Sequence, residues 1–226
     1  MLPHVKRTLT AAALAASISA TGLAGPVQAG AVGLDDVASW AASAAKSGTN
    51  AARFHYIKQD QGQENQWSDC GPASMLMALL DNGGSLPASY TRASQGQAMT
   101  DLRKEAPSAG NVRYNHLTDN DIVAILAKRG VPGTVYGNGA MGEVINQLKA
   151  GKKAIVLTQT GLIPNEKGDP GFGHFVYVSG YNKRTNTFTV NDPLKREERA
   201  HQVSDKELLR LITTPAEGNS QWALVI

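Results

Sequence analysis

The sequence predicts an α+β domain in which a helical lobe packs on an antiparallel β-sheet. Helical patterns dominate the first half of the mature chain and strand patterns the second, the order expected of segregated α+β layers. Two apolar alternating runs, "GHFVYVSGYN" and "TFTVNDP", flank the short turn "NKRTN" and read as an antiparallel hairpin. The 226 residues, 42% hydrophobic and 18% charged, suffice for one domain with a core and exclude a coiled coil or a collagen.

The first 29 residues read as a signal peptide. "MLPHVKR" is a basic n-region, "TLTAAALAASISATGLAG" an apolar stretch, and Val27-Gln28-Ala29 a small-x-small cleavage site. A permanent membrane anchor is the alternative. Interruption by Gly, Ser and Thr and the lack of a following charge cluster favour cleavage, leaving no stable span. The segment carries Lys6 and Arg7 and no acids, so its removal takes the net charge from +3 to about +1. With no basic run interleaved with aromatics, nucleic acid is not an expected partner. An exported protein, periplasmic or extracellular, is expected.

Residues 30–52 are expected to form an N-terminal helix (Asp35 to Lys46) and linker, and residues 53–226 the domain. "RFHYIKQ" alternates and predicts a strand; "DQGQENQWSD" is a polar loop. "CGPASMLMALLD" places Met75, Leu76, Leu79 and Leu80 at helical spacing and is stopped by Asn82-Gly83-Gly84. "SYTRASQGQAMTDLRKEA" predicts a second helix ending before Pro107. "LTDNDIVAILAKRG" predicts a third, capped by Thr118 with Asp121 three positions on and closed by Gly130. "VPGTVYG" is a short strand or turn, "GAMGEVINQLKAG" a helix and "KAIVLTQT" a buried strand. After the hairpin come the helix "SDKELLRLI" and the strand "QWALVI".

Cys70 is the only cysteine, so the chain cannot form an internal disulfide. A buried thiol acting as a small hydrophobe is one reading; an intermolecular disulfide or a nucleophile are the others. Its position favours the nucleophile. It starts a helix whose Pro72 suits the first turn, and the free N–H groups there favour thiolate and can hold an oxyanion. A nucleophilic thiol also needs a histidine. His4 lies in the signal segment, His55 in the first strand, His116 in a polar turn and His201 in a charged stretch. His174 opens a core strand behind the Gly-rich "GDPGFG". The hairpin brings the start of that strand next to Asn191-Asp192 at the end of the other, and either side chain can hold an imidazole tautomer.

"DCGPASMLMALL", "GHFVYVSGYN" and "VNDP" together resemble the papain-like C39 peptidase family, and more narrowly its stand-alone C39-like members, from about Phe54 to Ile226. The resemblance implies a papain-like fold with Cys70 as nucleophile, His174 as base, Asp192 as its orienting partner and no cofactor or metal. It also implies a glutamine before the cysteine that completes the oxyanion hole. The usual gap of six residues falls on Glu64, so Gln63 is the candidate and Gln66 the reserve; Gln59 and Gln61 also precede Cys70. The implied activity is hydrolysis of a peptide bond in a peptide or protein. Alternatives are a peptidoglycan amidase or endopeptidase, which commonly has Asp-Cys-Ser-Gly at the nucleophile, and a non-catalytic papain-like binding module.

Asp69 is expected to face out or cap the helix, since an inward carboxylate would raise the thiol pKa. Trp67 is expected in the core rather than on a cleft wall. The loop Thr160 to Gly173 reads either as an ordinary connection or as a lid beside the cleft. "KREERAH" (Lys195 to His201) reads as solvated surface. Too few His and Cys are present, too dispersed, to suggest a metal cluster, and "GNGAMG" lacks the context of a nucleotide loop.

Overall fold

The computed structural model describes residues 54–108, 116–167 and 169–226. The expected signal peptide and the helix expected at Asp35 to Lys46 lie outside them. The described residues form five α-helices and one antiparallel sheet of six strands. In chain order these are α1 (Cys70–Asn82), α2 (Gly96–Lys104), α3 (Asp119–Lys128), β1 (Thr134–Tyr136), α4 (Met141–Lys149), β2 (Ala154–Gln159), β3 (Gly173–Asn182), β4 (Thr187–Asn191), β5 (His201–Ser204), α5 (Asp205–Thr213) and β6 (Ala223–Val225). The strand order is β1-β6-β2-β3-β4-β5, with every neighbouring pair antiparallel. No helix among the described residues is long and apolar enough to cross a membrane.

The sheet is covered on both faces. Ile155, Leu157, Phe175, Tyr177 and Leu224 pack with α1, α2 and α3. Their alternates Ala154, Val156, Val176, Val178 and Ala223 pack with α4 and α5. A strand buried on both faces must be apolar throughout, which explains the unbroken run of β2. Helix α1 is buried from Cys70 to Leu80, so it is apolar all round rather than striped. Gly83 ends it with φ 70, where a residue without Cβ is not strained. Ser74 Oγ ties the helix to β3 by donating to the Phe175 carbonyl at 3.1 Å.

Thr118 caps α3 as the sequence predicts. Its Oγ1 accepts from the Asp121 N–H at 3.2 Å, while the Asp121 carboxylate accepts from the Thr118 N–H at 3.0 Å. Thr118→Ala should therefore lower stability by about 1 kcal/mol, measured by urea unfolding.

Three expectations are corrected. No strand forms over 54–59: Ile57 and Gln59 are buried, and the Gln59 N–H donates to the Pro193 carbonyl at 2.9 Å, but the segment pairs with no strand among the described residues. The alternation records burial without a ladder partner. Helix α2 starts only at Gly96. Before it, Gln95 Nε2 donates to the Thr91 and Arg92 carbonyls at 2.8 and 2.7 Å, and Thr91 Oγ1 accepts from the Ser94 N–H at 3.1 Å, closing a turn that competes with helix. Finally, the "KREERAH" stretch is not simply solvated: Lys195 is buried and His201 opens the edge strand β5.

Candidate active site

Cys70 is the first residue of α1 and is buried beside β3. Tyr177 pairs with Asn191 in the β3–β4 hairpin. Asp192 follows directly on Asn191, the last residue of β4, and His174 lies at the start of β3. The two side chains meet: His174 Nε2 lies 2.7 Å from Asp192 Oδ1, and both are buried. The Leu194 N–H also donates to Oδ1 at 2.8 Å, so the carboxylate is fixed from its own strand end.

Burial opposes ionisation of the Cys70 thiol. Hydrogen bonds to His116 and His174, the charge of His174 and a backbone hydrogen bond from Phe175 outweigh it and bring the thiol down to about 6. Burial pushes His174 the other way, but the Asp192 carboxylate and the thiol raise it well above the usual imidazole value. A thiolate–imidazolium pair is thus the favoured state of the two groups. The hydrogen bond to Cys70 likewise raises His116, against desolvation. His116 and His174 line the same cleft as the thiol. The sequence leaves His116 in a polar turn, and only the path of the chain into α3 brings it to the cysteine.

Asp69 does not face out. It is fully buried and ion-paired with Arg103 of α2, which is buried as well. Arg103 Nη2 also donates to the Ser68 carbonyl at 2.6 Å. Burial raises the Asp69 carboxyl even with Arg103 and Gln63 beside it. The ion pair neutralises the charge that would otherwise oppose a thiolate one residue away.

The glutamine expectation is corrected too. Gln63 Nε2 donates to Asp69 Oδ2 at 2.7 Å and to the Gln59 carbonyl at 2.6 Å, so its amide is spent behind the site. The reserve, Gln66, accepts from the Gly62 N–H through Oε1 at 3.0 Å. The glutamine lining the cleft with Cys70 is Gln59. It is 1% exposed; its Nε2 donates to the Gln66 carbonyl at 2.8 Å, and its Oε1 has no partner. Gln59 stands eleven residues before the cysteine because the loop between them folds back on itself through Gln63 and Gln66.

A cavity of about 340 Å³ opens over Cys70 and His174. Trp67, 62% exposed, is on its wall rather than in the core. Thr160, Lys167, Asp169 and Phe172 make the loop Thr160 to Gly173 a second wall. That loop is pinned at its neck, where the Thr160 N–H donates to the Phe172 carbonyl at 2.8 Å and the Gly171 N–H to the Thr160 carbonyl at 3.1 Å. His116, Phe172 and Gly173 also border a second cavity of about 550 Å³ toward Trp222. The two cavities share these three residues as a common border.

Glu166 of the same loop reaches the far side of the histidine, its Oε1 3.9 Å from His174 Nε2. Ligand atoms of Glu166, His174 and Asp192 lie within 4.8 Å of one another, so the fold does assemble a grouping that could hold a metal ion where the sequence suggests none. Asp192 already uses Oδ1 on the imidazole and on the Leu194 N–H.

A cysteine-bearing helix set against an antiparallel sheet, with Cys, His and Asp where they meet, defines the papain-like class. Residues 52–210 match the model of the Peptidase_C39 like family, and the chain belongs to that family. A candidate C39-like peptidase of known structure from Bacillus anthracis is similar at 14% identity and TM-score 0.45, over 76% of this chain and 97% of that one. No curated protein matches the chain.

Proposed function

We propose that the protein is an exported cysteine peptidase that hydrolyses a peptide bond through Cys70, His174 and Asp192. The observation that supports this most is the thiol at a helix start, in one cleft with an imidazole that Asp192 holds at 2.7 Å. His174 carries the thiol proton as imidazolium, and the thiolate attacks the scissile carbonyl carbon to form a C–S bond. The Cys70 backbone N–H and the second Nε2 proton of Gln59 stabilise the oxyanion. His174 passes its proton to the leaving nitrogen, and the C–N bond breaks to leave a thioester. Water, deprotonated by His174, then attacks the thioester. The C–S bond breaks, the acid leaves and the ion pair is restored. The basic n-region, apolar stretch and Val27-Gln28-Ala29 site support export.

Hydrolysis of a peptide library, run beside a peptidoglycan digest, tests this reading. Release of new peptide amines supports it. Activity confined to peptidoglycan, or thiol reactivity without turnover, replaces it with the amidase or the binding module. Gln59→Ala should lower kcat by roughly 10²–10³-fold with little change in KM, the effect of removing one oxyanion donor. Gln63→Ala should act mainly on stability, through Asp69.

A further inference from the structure

Glu166 is out of place in an exposed Gly/Pro-rich loop. Its side chain is 2% exposed and sits behind the His174–Asp192 pair. Main-chain bonds hold it there: residues 166 and 195 form a β-bridge, the Lys167 N–H donates to the Leu194 carbonyl at 3.2 Å, and the Arg196 N–H donates to the Asn165 carbonyl at 3.0 Å. Its Oε2 accepts from the Gly161 N–H, but its Oε1 is buried with no partner. Asp192 has the same defect: Oδ1 is fully used, while Oδ2 is buried without a partner. A carboxylate oxygen of each group lies within 4.8 Å of the other's, and two buried like charges at that separation cost free energy while both groups are ionised. One proton between them satisfies both.

We propose that Glu166 is a positioning residue that acts through Asp192, carried as a neutral carboxylic acid whose Oε1–H donates to Asp192 Oδ2. Asp192 is then held on both oxygens, with Oδ1 aimed at His174. The proposal rests on the peptidase reading only for its consequence, the orientation of the base.

The surroundings agree. Burial and the Asp192 charge push the Glu166 carboxyl up to about 7, against the opposing pull of His174. Among the described residues, His174 is the cation that faces it, 3.9 Å from Oε1, and the two nearby lysines are engaged elsewhere. Lys167, its chain neighbour, pairs with Asp60, and Lys195, across the bridge, points Nζ at His201 Nδ1 (3.2 Å) and Glu197 (3.4 Å). Tyr56, the other titratable group at this end of β4, donates its hydroxyl to the Asp192 carbonyl.

Infrared difference spectra of the full chain, Glu166→Gln minus wild type, test the bond itself. Wild type should show the carbonyl stretch of a buried protonated acid that disappears as pH rises through about 7, and Glu166→Gln should lack it. An unchanged band in Glu166→Gln, or no band in wild type, overturns the proposal. On peptide substrate, Glu166→Ala should lower kcat on the order of tenfold at constant KM, the scale of coupling within one hydrogen-bond network. Glu166→Gln, whose amide N–H can replace the acid proton, should restore it; a Gln variant as slow as the Ala variant contradicts the donor role. The infrared band decides the Glu166–Asp192 bond even in a protein without peptidase activity, so failure here is distinct from failure of the triad.

Discussion

Cys70→Ala should abolish peptide hydrolysis while the fold persists, and His174→Ala should reduce kcat by roughly 10⁴–10⁶-fold. The thiol is buried beside β3, and alanine leaves only the space of one sulfur. Circular dichroism and urea unfolding of Cys70→Ala should therefore stay close to wild type, within about 1–2 kcal/mol. The pH dependence follows from the same pair. The thiol titrates down at about 6 and His174 well above its ordinary value, so the ion pair forms as pH rises through about 6 and persists until the imidazolium is lost. kcat/KM should rise through that acidic limb. In His116→Ala the limb should move to higher pH, because one of the hydrogen bonds lowering the thiol pKa is gone. Full peptidase activity in Cys70→Ala would end the assignment.

Arg103→Met should produce the largest loss of stability from a single change outside the site. The guanidinium is the countercharge of a fully buried Asp69, and it also holds the Ser68 carbonyl at 2.6 Å. Removing it strands a carboxylate in the core, a change that costs about 3–5 kcal/mol. Thermal unfolding should fall by about 10 °C. Asp69→Asn combined with Arg103→Met should recover part of the loss, because no unpaired charge remains. Equal stability for the single and double variants would mean that Arg103 acts through packing rather than through charge. The single variant should also slow Cys70 alkylation, since the unpaired Asp69 charge then sits one residue from the thiol.

The parts legible in the sequence are those that depend on local pattern. A Cys-Gly-Pro-Ala helix start fixes where Cys70 sits, and a hairpin with a short turn fixes that His174 meets the end of the next strand whatever the rest of the chain does. The cap at Thr118 and Asp121 is equally local. The features that escape the sequence depend on where irregular chain travels. Gln63 stands one residue from the expected spacing, yet the loop before α1 doubles back and turns its amide to Asp69, leaving Gln59 on the cleft. His116 and Glu166 reach the site from opposite sides through segments with no periodic signal. Asp69 reads as a solvent-facing acid because its partner, Arg103, lies on another helix, 34 residues away. A buried acid beside the nucleophile and an arginine at an otherwise buried position of α2 were the only hints, and neither is visible until burial is known.

The central claim, that Cys70 and His174 form an activated pair, is tested most directly by the rate of Cys70 alkylation by iodoacetamide against pH, in wild type and in His174→Ala. The pair predicts a rate that climbs through pH about 6 in wild type and shifts toward the ordinary thiol range in the variant. Slow labelling in both proteins, following an unperturbed thiol at about 8.5, would contradict it.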